Sequence, residues 1–339
     1  MVARPGRSER LVMTFVFTLL LGAFSVVAGI GAALAVFTVI NTRRAERLVP
    51  VDGQFLEVAG VRLHYTDQGR GQAILFTHGL GGQLRNFAQP LVLRLAATHR
   101  VIAVDRPGSG YSTLKGPYPD IRAQAAMIAE LLDHLDPGPV VLAGHSLGGA
   151  VSLALAIDRP DLVCSLALLA PLTQNLDEAP GTFRILLIRS SLFRWVIGWT
   201  LVAPFSRFGS KKSRSPAFAP DPVPEDFESR GGGALLYRPQ GFDAASRDLQ
   251  GVPEILPAII ARYREIRKPI AILFGVGDHI LDPKLHGEAF VRRLPGATIT
   301  LVPGGHMLPF TQPDATASWI EATIANAMTP VMPQGKPVR

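Results

Sequence analysis

The sequence predicts an α/β fold in which helices flank a mostly parallel sheet, preceded by an apolar helix at the N-terminus. Short, continuous apolar runs, typical of strands buried on both faces, alternate along the chain with stretches of helical apolar spacing. Strands that alternate with helices favour a parallel sheet. The buried runs are Ala73–Thr77, Val101–Val104, Val140–Ala143 and Leu162–Leu169, and further strands are predicted over Ile270–Phe274 and Thr298–Val302.

Composition excludes several classes of protein. With 339 residues, 47% of them apolar, the chain is long enough to bury the core of one large domain or two small ones. The net charge of +7 comes largely from arginines on either side of the N-terminal apolar segment. No basic stripe is interleaved with aromatic residues, so we expect no nucleic-acid partner. The single cysteine, Cys164, cannot form an internal disulfide and is expected to pack in the core.

The segment Leu11–Ile40 contains no charged residue. It is long enough to cross a hydrocarbon core of about 30 Å. The alternative is a cleaved signal peptide, because Ala33-Leu34-Ala35 resembles a cleavage site, but the run exceeds the ~15 apolar residues of such peptides. We therefore predict a single-pass membrane anchor over residues 1–48. Three arginines and one glutamate flank each side, so the positive-inside rule favours neither orientation.

After the anchor, Gln54–Val58 and Val61–Gln68 alternate like a hairpin around Ala59-Gly60. Helical spacing follows at Ile121–Leu135 and Leu147–Ile157. Later helices are predicted over Lys284–Leu294 and about Gln312–Met328.

The strand and helix rhythm breaks between Pro171 and Arg267, a stretch rich in proline, glycine, arginine and aromatics. We interpret it as a helical cap inserted after the sixth strand. The predicted organisation begins with an anchor over residues 1–48. A core in two parts follows, over residues 49–170 and 268–328, with the cap over residues 171–267 inserted between them. A tail over residues 329–339 ends the chain.

A nucleophile motif follows the strand Val140–Ala143. Gly144-His145-Ser146-Leu147-Gly148 fits the pattern G-x-S-x-G and opens the next helix, which is the context that this motif requires. A sharp turn from strand to helix strains the serine, and the flanking glycines remove Cβ atoms that would collide there. The alternative is a glycine-rich turn with a capping serine. We predict that Ser146 is a nucleophile.

A serine hydroxyl needs a base and a group that orients the base. His306, in the turn after the last predicted strand, is the predicted base. Asp278 follows the strand Ile270–Phe274 and gives the chain order Ser, Asp, His. Asp282 competes as the acid, but a helix cap before Lys284 explains it equally well, so we predict that Asp278 orients His306.

The loop His78-Gly79-Leu80-Gly81-Gly82 follows a buried strand. Acyl transfer needs two hydrogen-bond donors for the oxyanion, one after the nucleophile and one from an earlier loop. We predict the backbone N–H groups of Leu80 and Leu147, although a plain turn is the alternative for the loop. We expect no metal and no cofactor.

Together these motifs resemble the α/β-hydrolase superfamily from about Gln54 to Asn326. The resemblance includes Asp105-Arg106-Pro107-Gly108-Ser109-Gly110-Tyr111-Ser112 as well as the loop, the Ser146 turn and the turns at Asp278 and His306. Members with an aspartate nucleophile would need an acid at the position of Ser146. The resemblance therefore implies the serine esterase or lipase-like branch.

The expected function is hydrolysis of carboxylic esters of lipophilic small molecules. The alternatives are an acyltransferase with the same acyl-serine intermediate, and a ligand-binding, receptor-like protein with little turnover. Within the cap, Phe183–Phe205 is apolar but contains Arg184, Arg189 and Arg194, with Trp195 and Trp199. It is either a lid over the pocket or a segment against the bilayer, and both imply a lipophilic substrate. No oligomeric state is predicted.

Overall fold

A computed structural model describes residues 6–328 apart from 177 and 179, and for residues 206–213 and 328 it describes the backbone alone. The predicted tail over 329–339 and Arg4 of the basic flank lie outside the described residues.

The N-terminal helix α1 (Arg7–Leu48) is, within the described chain, the one helix long and apolar enough to cross a membrane. Its residues up to Ile30 are all exposed. From Gly31 onward one stripe of the helix packs against the cap, and Thr38 and Ala45 are buried. The helix therefore has a free apolar part and a part that belongs to the folded domain.

The sheet has nine strands in the order β1-β2-β4-β3-β6-β7-β8-β9, with β5 paired to β2 at the side. The pairs that involve β2 are antiparallel, and all pairs from β4-β3 to β8-β9 are parallel. The strands are β1 (Gln54–Val58), β2 (Val61–Gln68), β3 (Ala73–Thr77), β4 (Arg100–Val104), β5 (Thr113–Leu114), β6 (Val140–Gly144), β7 (Val163–Leu169), β8 (Ile270–Gly275) and β9 (Thr298–Val302).

Helices cover both faces of the sheet. The helices after α1 are α2 (Gln89–Ala96), α3 (Ile121–Leu135), α4 (Leu147–Asp158), α5 (Ser191–Thr200), α6 (Val202–Phe218), α7 (Pro239–Ala261), α8 (Ala289–Arg293), α9 (Leu308–Thr311) and α10 (Pro313–Met328). Leu75 of β3 lies in the cluster that contains the buried residues of α3 and α4, whereas Ile74 and Phe76 lie in the cluster formed with α2 and α10. The central parallel strands are thus buried on both sides, as their continuous apolar runs predict, whereas the edge strand β9 is mostly exposed.

The predicted α/β fold, with a mostly parallel sheet flanked by helices, is confirmed. The short strand β5 and the helices α2 and α9 were not predicted. Because β5 was missed, the cap helices α5–α7 follow the seventh strand rather than the sixth. The helix predicted over Lys284–Leu294 begins as a π-helical turn over Lys284–Glu288 and continues as α8. The division into segments at residues 48, 170, 267 and 328 stays a prediction.

Candidate active site

Ser146 lies between β6 and α4 in a strained backbone conformation. Its φ is 54° and its ψ is −121°, a combination that costs a non-glycine residue about 1–3 kcal/mol. Three backbone hydrogen bonds hold it there: its N–H donates to the carbonyl of Leu169 at 3.0 Å, and its carbonyl accepts from the N–H groups of Gly149 and Leu172, both at 2.9 Å. The surrounding strands thereby fix the serine at the carboxyl edge of the sheet.

Glycines allow the backbone segments around Ser146 to touch. A Cβ on Gly148 would lie 2.0 Å from the carbonyl oxygen of Thr77, and one on Gly144 would lie 2.5 Å from the carbonyl oxygen of Gly148. On Gly79 it would lie 2.8 Å from the Cβ of Ser146. Side chains at these positions would push the loop after β3 away from the serine.

His306 and Asp278 form a buried pair. The Nδ1–H of His306 donates to Oδ2 of Asp278 at 2.7 Å, and Oδ1 of Asp278 accepts the backbone N–H groups of Ile280 at 2.8 Å and Leu281 at 3.0 Å. Burial alone would raise the pKa of Asp278, but the charge and hydrogen bond of His306, with the two amides, hold that pKa below its usual value. The carboxylate is therefore ionised and fixes the orientation of the imidazole.

Ser146 and His306 line the same cavity, which has a volume of about 430 Å³. Its floor includes the loop residues Gly79, Leu80 and Gly81. Its walls come mostly from apolar residues of the cap, among them Phe183, Leu186, Ile197, Val202, Leu236 and Phe242. The predicted nucleophile and base thus face the same space under the cap, which is large enough for a small apolar molecule.

The two predicted oxyanion donors lie beside Ser146. Leu80, Leu147 and Ser146 together line a narrow apolar pocket next to the cavity. Among the hydrogen bonds of the described residues, none uses the backbone N–H of Leu80 or Leu147. Gly81 has a φ of +60°, which turns the loop sharply after Leu80. Both N–H groups are therefore available to an oxygen atom of a ligand.

The sequence profile that describes the alpha/beta hydrolase fold family matches residues 72–313, which is more than half of the chain. The chain belongs to this family. The hydrolase is 28% identical over 261 residues to the magnesium-chelatase 30 kDa subunit of Rhodobacter capsulatus, covering 75% of this chain and 87% of that protein. It is 28% identical over 247 residues to the poly(3-hydroxyalkanoate) depolymerase of Ectopseudomonas oleovorans, covering 72% and 81%.

Among solved structures, the hydrolase is similar to that of a membrane phospholipase A described as a bacterial virulence factor. The TM-score is 0.63 at 20% identity, and the match covers 95% of this chain and all of that one. The hydrolase also spans about a third of the length of an acetyltransferase component of the acetoin cleaving system of Cupriavidus necator, at 37% identity over 119 residues.

His78 supports the loop of the hydrolase that carries Leu80. Its Nδ1–H donates to the carbonyl of Gly79, and its Nε2 accepts the backbone N–H of Arg106, both at 2.9 Å. Burial, followed by the charge of Arg106, lowers the pKa of His78 to about 3. The ring is therefore neutral at physiological pH, with a donor on one side and an acceptor on the other. Its place in the loop is structural rather than that of a proton carrier.

Arg106 was not predicted as part of the site. Its Nε donates to the carbonyl of His78 at 2.9 Å, and its Nη2 donates to the carbonyl of Gly79 at 2.8 Å. Its Nη1 donates to Gln124 and to Asp248 of the cap helix α7, each at 2.8 Å. The arginine therefore fixes the loop of the hydrolase and joins it to the cap. Its position after β4 was visible in the sequence, but its partner on the cap was not.

His145 was also missed. Its Nε2–H donates to the backbone carbonyl of His306 at 3.0 Å, and the two ring centroids lie 4.8 Å apart. Burial, followed by the charge of His306, lowers the pKa of His145 to about 3, so the ring is neutral. His145 thus holds the backbone of His306 in place.

The competing acid, Asp282, lies in a different environment from Asp278. Its side chain is exposed, and its Oδ1 accepts the backbone N–H of Lys284 at 2.9 Å. This is the capping interaction that the sequence offered as its alternative explanation. His306 donates its hydrogen bond to Asp278 and not to Asp282, and this geometry favours Asp278 as the acid of the site.

Proposed function

We propose that this hydrolase cleaves carboxylic esters of lipophilic small molecules through an acyl-serine intermediate. In this proposal Ser146 is the nucleophile, His306 is the base and Asp278 orients the histidine. The observation that carries it is the buried hydrogen bond of 2.7 Å between His306 and Asp278, next to a cavity that His306 shares with the strained Ser146.

The reaction follows from this geometry. His306 takes the hydroxyl proton of Ser146 while Oγ attacks the ester carbonyl carbon, and the N–H groups of Leu80 and Leu147 stabilise the oxyanion. The imidazolium, stabilised by the ionised Asp278, gives its proton to the leaving alkoxide, and the alcohol departs. Water then attacks the acyl-serine with His306 again as base. The carboxylic acid leaves, and the serine hydroxyl is restored.

The cavity supports a lipophilic substrate. Its walls are mostly apolar, and burial of apolar substrate surface favours binding by about 25 cal/mol per Å². The names of two similar proteins, a poly(3-hydroxyalkanoate) depolymerase and a membrane phospholipase A, support an ester as the reacting group.

We further propose that α1 is retained as a single-pass membrane anchor. The helix continues without a break past Ala35, the end of the segment that resembles a cleavage site. Beyond it, Thr38 is fully buried and Glu46 pairs with Arg238 of the cap at 3.1 Å. These contacts support a helix that stays joined to the domain, with residues 11–30 free to lie in the bilayer.

The deciding experiment compares the full chain with Ser146→Ala in detergent, using nitrophenyl butyrate as the substrate. We expect kcat to fall by about 10³-fold or more with an unchanged circular dichroism spectrum. A variant that keeps more than about a tenth of the wild-type rate contradicts the nucleophile assignment. A wild-type protein without turnover favours the receptor-like alternative, and acyl products formed from an added alcohol in preference to free acid favour the acyltransferase.

A further inference from the structure

We propose that the outer face of the cap lies in the membrane interface, and that substrate enters the cavity from the bilayer through a mouth on this face. The inference about substrate entry rests on the proposed ester hydrolase function. The outer cap face is defined by seven exposed apolar residues: Ile185, Leu187, Leu192, Phe193, Trp195, Leu201 and Phe205.

The helix α5 buries its charged residue and exposes most of its apolar residues, which is the reverse of a surface helix in a water-soluble domain. Its charged residue Arg194 is buried and donates to Asp243 at 2.9 Å and to the carbonyls of Ile188 and Arg189 at 2.8 Å. Its large apolar residues point outward instead: Phe193 is 63% exposed and Trp195 is 62% exposed. In water the polar face of an amphipathic helix points to solvent. This arrangement indicates an apolar environment outside the cap.

The contact between α1 and the cap identifies this environment as the bilayer. The helix α1 packs against both α5 and α6. Its uncharged segment Leu11–Ile40 would measure roughly 45 Å as a helix, against about 30 Å for the hydrocarbon core. When residues from Leu11 onward occupy the core, the excess length coincides with the part that packs against the cap from Gly31 onward.

The surface of α1 continues the outer cap face. On the sides of α1 that do not contact the cap, Val36 and Ile40 are each 60% exposed. Directly beyond them, Arg43, Arg44 and Arg47 are exposed at the end of the helix. Tryptophan is enriched at the level of the lipid headgroups, which suits Trp195 on the outer cap face, and the arginines lie further from the hydrocarbon core. Apolar and basic residues therefore follow one another in the order that a membrane interface requires.

The outer cap face is also part of the cavity wall. Ile185, Leu201 and Phe205 line the cavity of Ser146 and are 56%, 53% and 47% exposed. A residue that is exposed and also lines a cavity lies at its mouth. An ester dissolved in the bilayer would thus reach Ser146 along apolar side chains, without crossing bulk water.

The first test locates Trp195 directly. The full chain, with Trp199→Phe and Trp319→Phe, is placed in phosphatidylcholine vesicles whose acyl chains are brominated near the headgroup. We expect strong quenching of the remaining tryptophan fluorescence. The matched control keeps only Trp319, which donates a hydrogen bond to Thr300 on the edge strand β9 and should not be quenched. Unquenched Trp195 in a protein whose anchor is inserted overturns the proposal.

The second test separates entry from chemistry. In the full chain, the double variant Leu192→Asp with Phe193→Asp should lower hydrolysis of a long-chain ester embedded in vesicles by about tenfold. The reason is that two carboxylates on the outer cap face would weaken its contact with the bilayer. Hydrolysis of dissolved nitrophenyl butyrate should change by less than about twofold. The control Leu93→Asp alters another exposed leucine, 54% exposed on α2 against 66% for Leu192, and should change neither rate.

An unchanged rate on vesicles overturns the entry route. If the double variant instead converts a dimer into a monomer with that rate unchanged, the outer cap face is a protein interface and the proposal is wrong. Failure of the underlying function is distinct, because wild-type protein would then turn over neither ester while the quenching of Trp195 could still be observed.

Discussion

Arg106 and Asp248 form an ion pair of 2.8 Å that is almost completely buried, with side-chain exposures of 0% and 1%. Arg106 follows β4 and Asp248 lies on the cap helix α7, so the pair joins the core to the cap. Asp248 also accepts hydrogen bonds from Tyr118 and Gln124, both at 2.9 Å. Because the same guanidinium holds the carbonyls of His78 and Gly79, the position of the cap and the geometry of the oxyanion loop are coupled.

The first prediction follows from this pair. Asp248→Ala leaves a buried, uncompensated Arg106, and removal of one partner of such a pair costs about 3–5 kcal/mol. We expect a lower unfolding midpoint in urea and a lower kcat, because the loop that carries Leu80 loses its support. The control Glu321→Ala removes the exposed pair with Arg94 and should change the midpoint little. Equal stability of Asp248→Ala and the wild type would show that the pair is not needed.

The second prediction separates the two candidate acids. Asp278→Asn removes the carboxylate that holds the imidazole of His306, so we expect kcat for ester hydrolysis to fall by about 10³-fold or more. Asp282→Asn keeps an Oδ1 atom that can accept the backbone N–H of Lys284, so this variant should stay within about twofold of the wild type. Steady-state kinetics on both variants decides, and a larger loss in Asp282→Asn would reverse the assignment.

The third prediction concerns stability and pH at His64. Its Nδ1 bonds the buried Asp105 at 2.7 Å, and its Nε2 faces the carbonyl of Asp52, so the protonated ring has two acceptors. Burial alone would lower the pKa of His64, but the hydrogen bond and charge of Asp105, with the carbonyl of Asp52, raise it above 6.5. The stabilisation is therefore fully present below pH 6.5 and is lost as pH rises through the raised pKa.

Urea unfolding of wild type and His64→Gln from pH 5.5 to 9 measures this effect. The stability difference between the two proteins should be largest at the acid end and should shrink as pH rises. A difference that grows with pH would mean that His64 is neutral in the folded protein.

The parts of the site that were predicted are those encoded by short, continuous stretches. Ser146 is identified by its own flanking residues, and His306 by its place after the last strand. Asp278 was preferred to Asp282 because a helix cap explained Asp282 equally well, but the hydrogen bond between Asp278 and His306 depends on the direction of side chains, which the sequence does not reveal. The pairing of Arg106 with Asp248 was not predictable, because the two residues are 142 positions apart and Asp248 lies in the cap. The cap lacks the alternation of strands and helices from which positions relative to the sheet were predicted.

The fold shows the same division. Strands with continuous apolar runs were located to within one residue, because burial on both faces leaves a strong signal. The helix α2 was missed because it is only 8 residues long and follows a loop, with Leu91, Val92 and Leu95 as its buried residues. The packing of α1 against the cap was also not predicted, because the apolar sequence does not distinguish a part that contacts lipid from a part that contacts protein.

The fourth prediction follows from that packing. A chain that begins at residue 31 keeps the buried Thr38 and Ala45 and the pair of Glu46 with Arg238. One that begins at residue 49 loses all of them and exposes the apolar surface beneath. We expect its melting temperature to be lower by several degrees, at about 2–4 °C per kcal/mol for a domain of this size.

Carbonate washing of membranes tests the anchor with the same chains. The full chain should stay in the membrane pellet, whereas the chain that begins at residue 31 should be released, because interfacial contacts do not withstand this treatment as a spanning helix does. Release of the full chain, or a mature N-terminus near Val36, contradicts retention of the anchor.

The last prediction concerns the acyl chain of the substrate. Because the cavity walls are mostly apolar, each buried methylene should favour the reaction by about 0.8 kcal/mol, or roughly fourfold in kcat/KM, until the space is full. Nitrophenyl esters from butyryl to octanoyl should therefore have a higher kcat/KM than the acetyl ester, in both the full chain and the chain that begins at residue 31.

A variant of the cavity wall tests the same idea. Ala245→Leu adds volume at a buried position in this wall, so the preferred acyl chain should become shorter. If the wild type prefers acetyl as strongly as the longer chains, the cavity does not hold the acyl group. The apolar cap then serves membrane contact alone, without setting the size of the substrate.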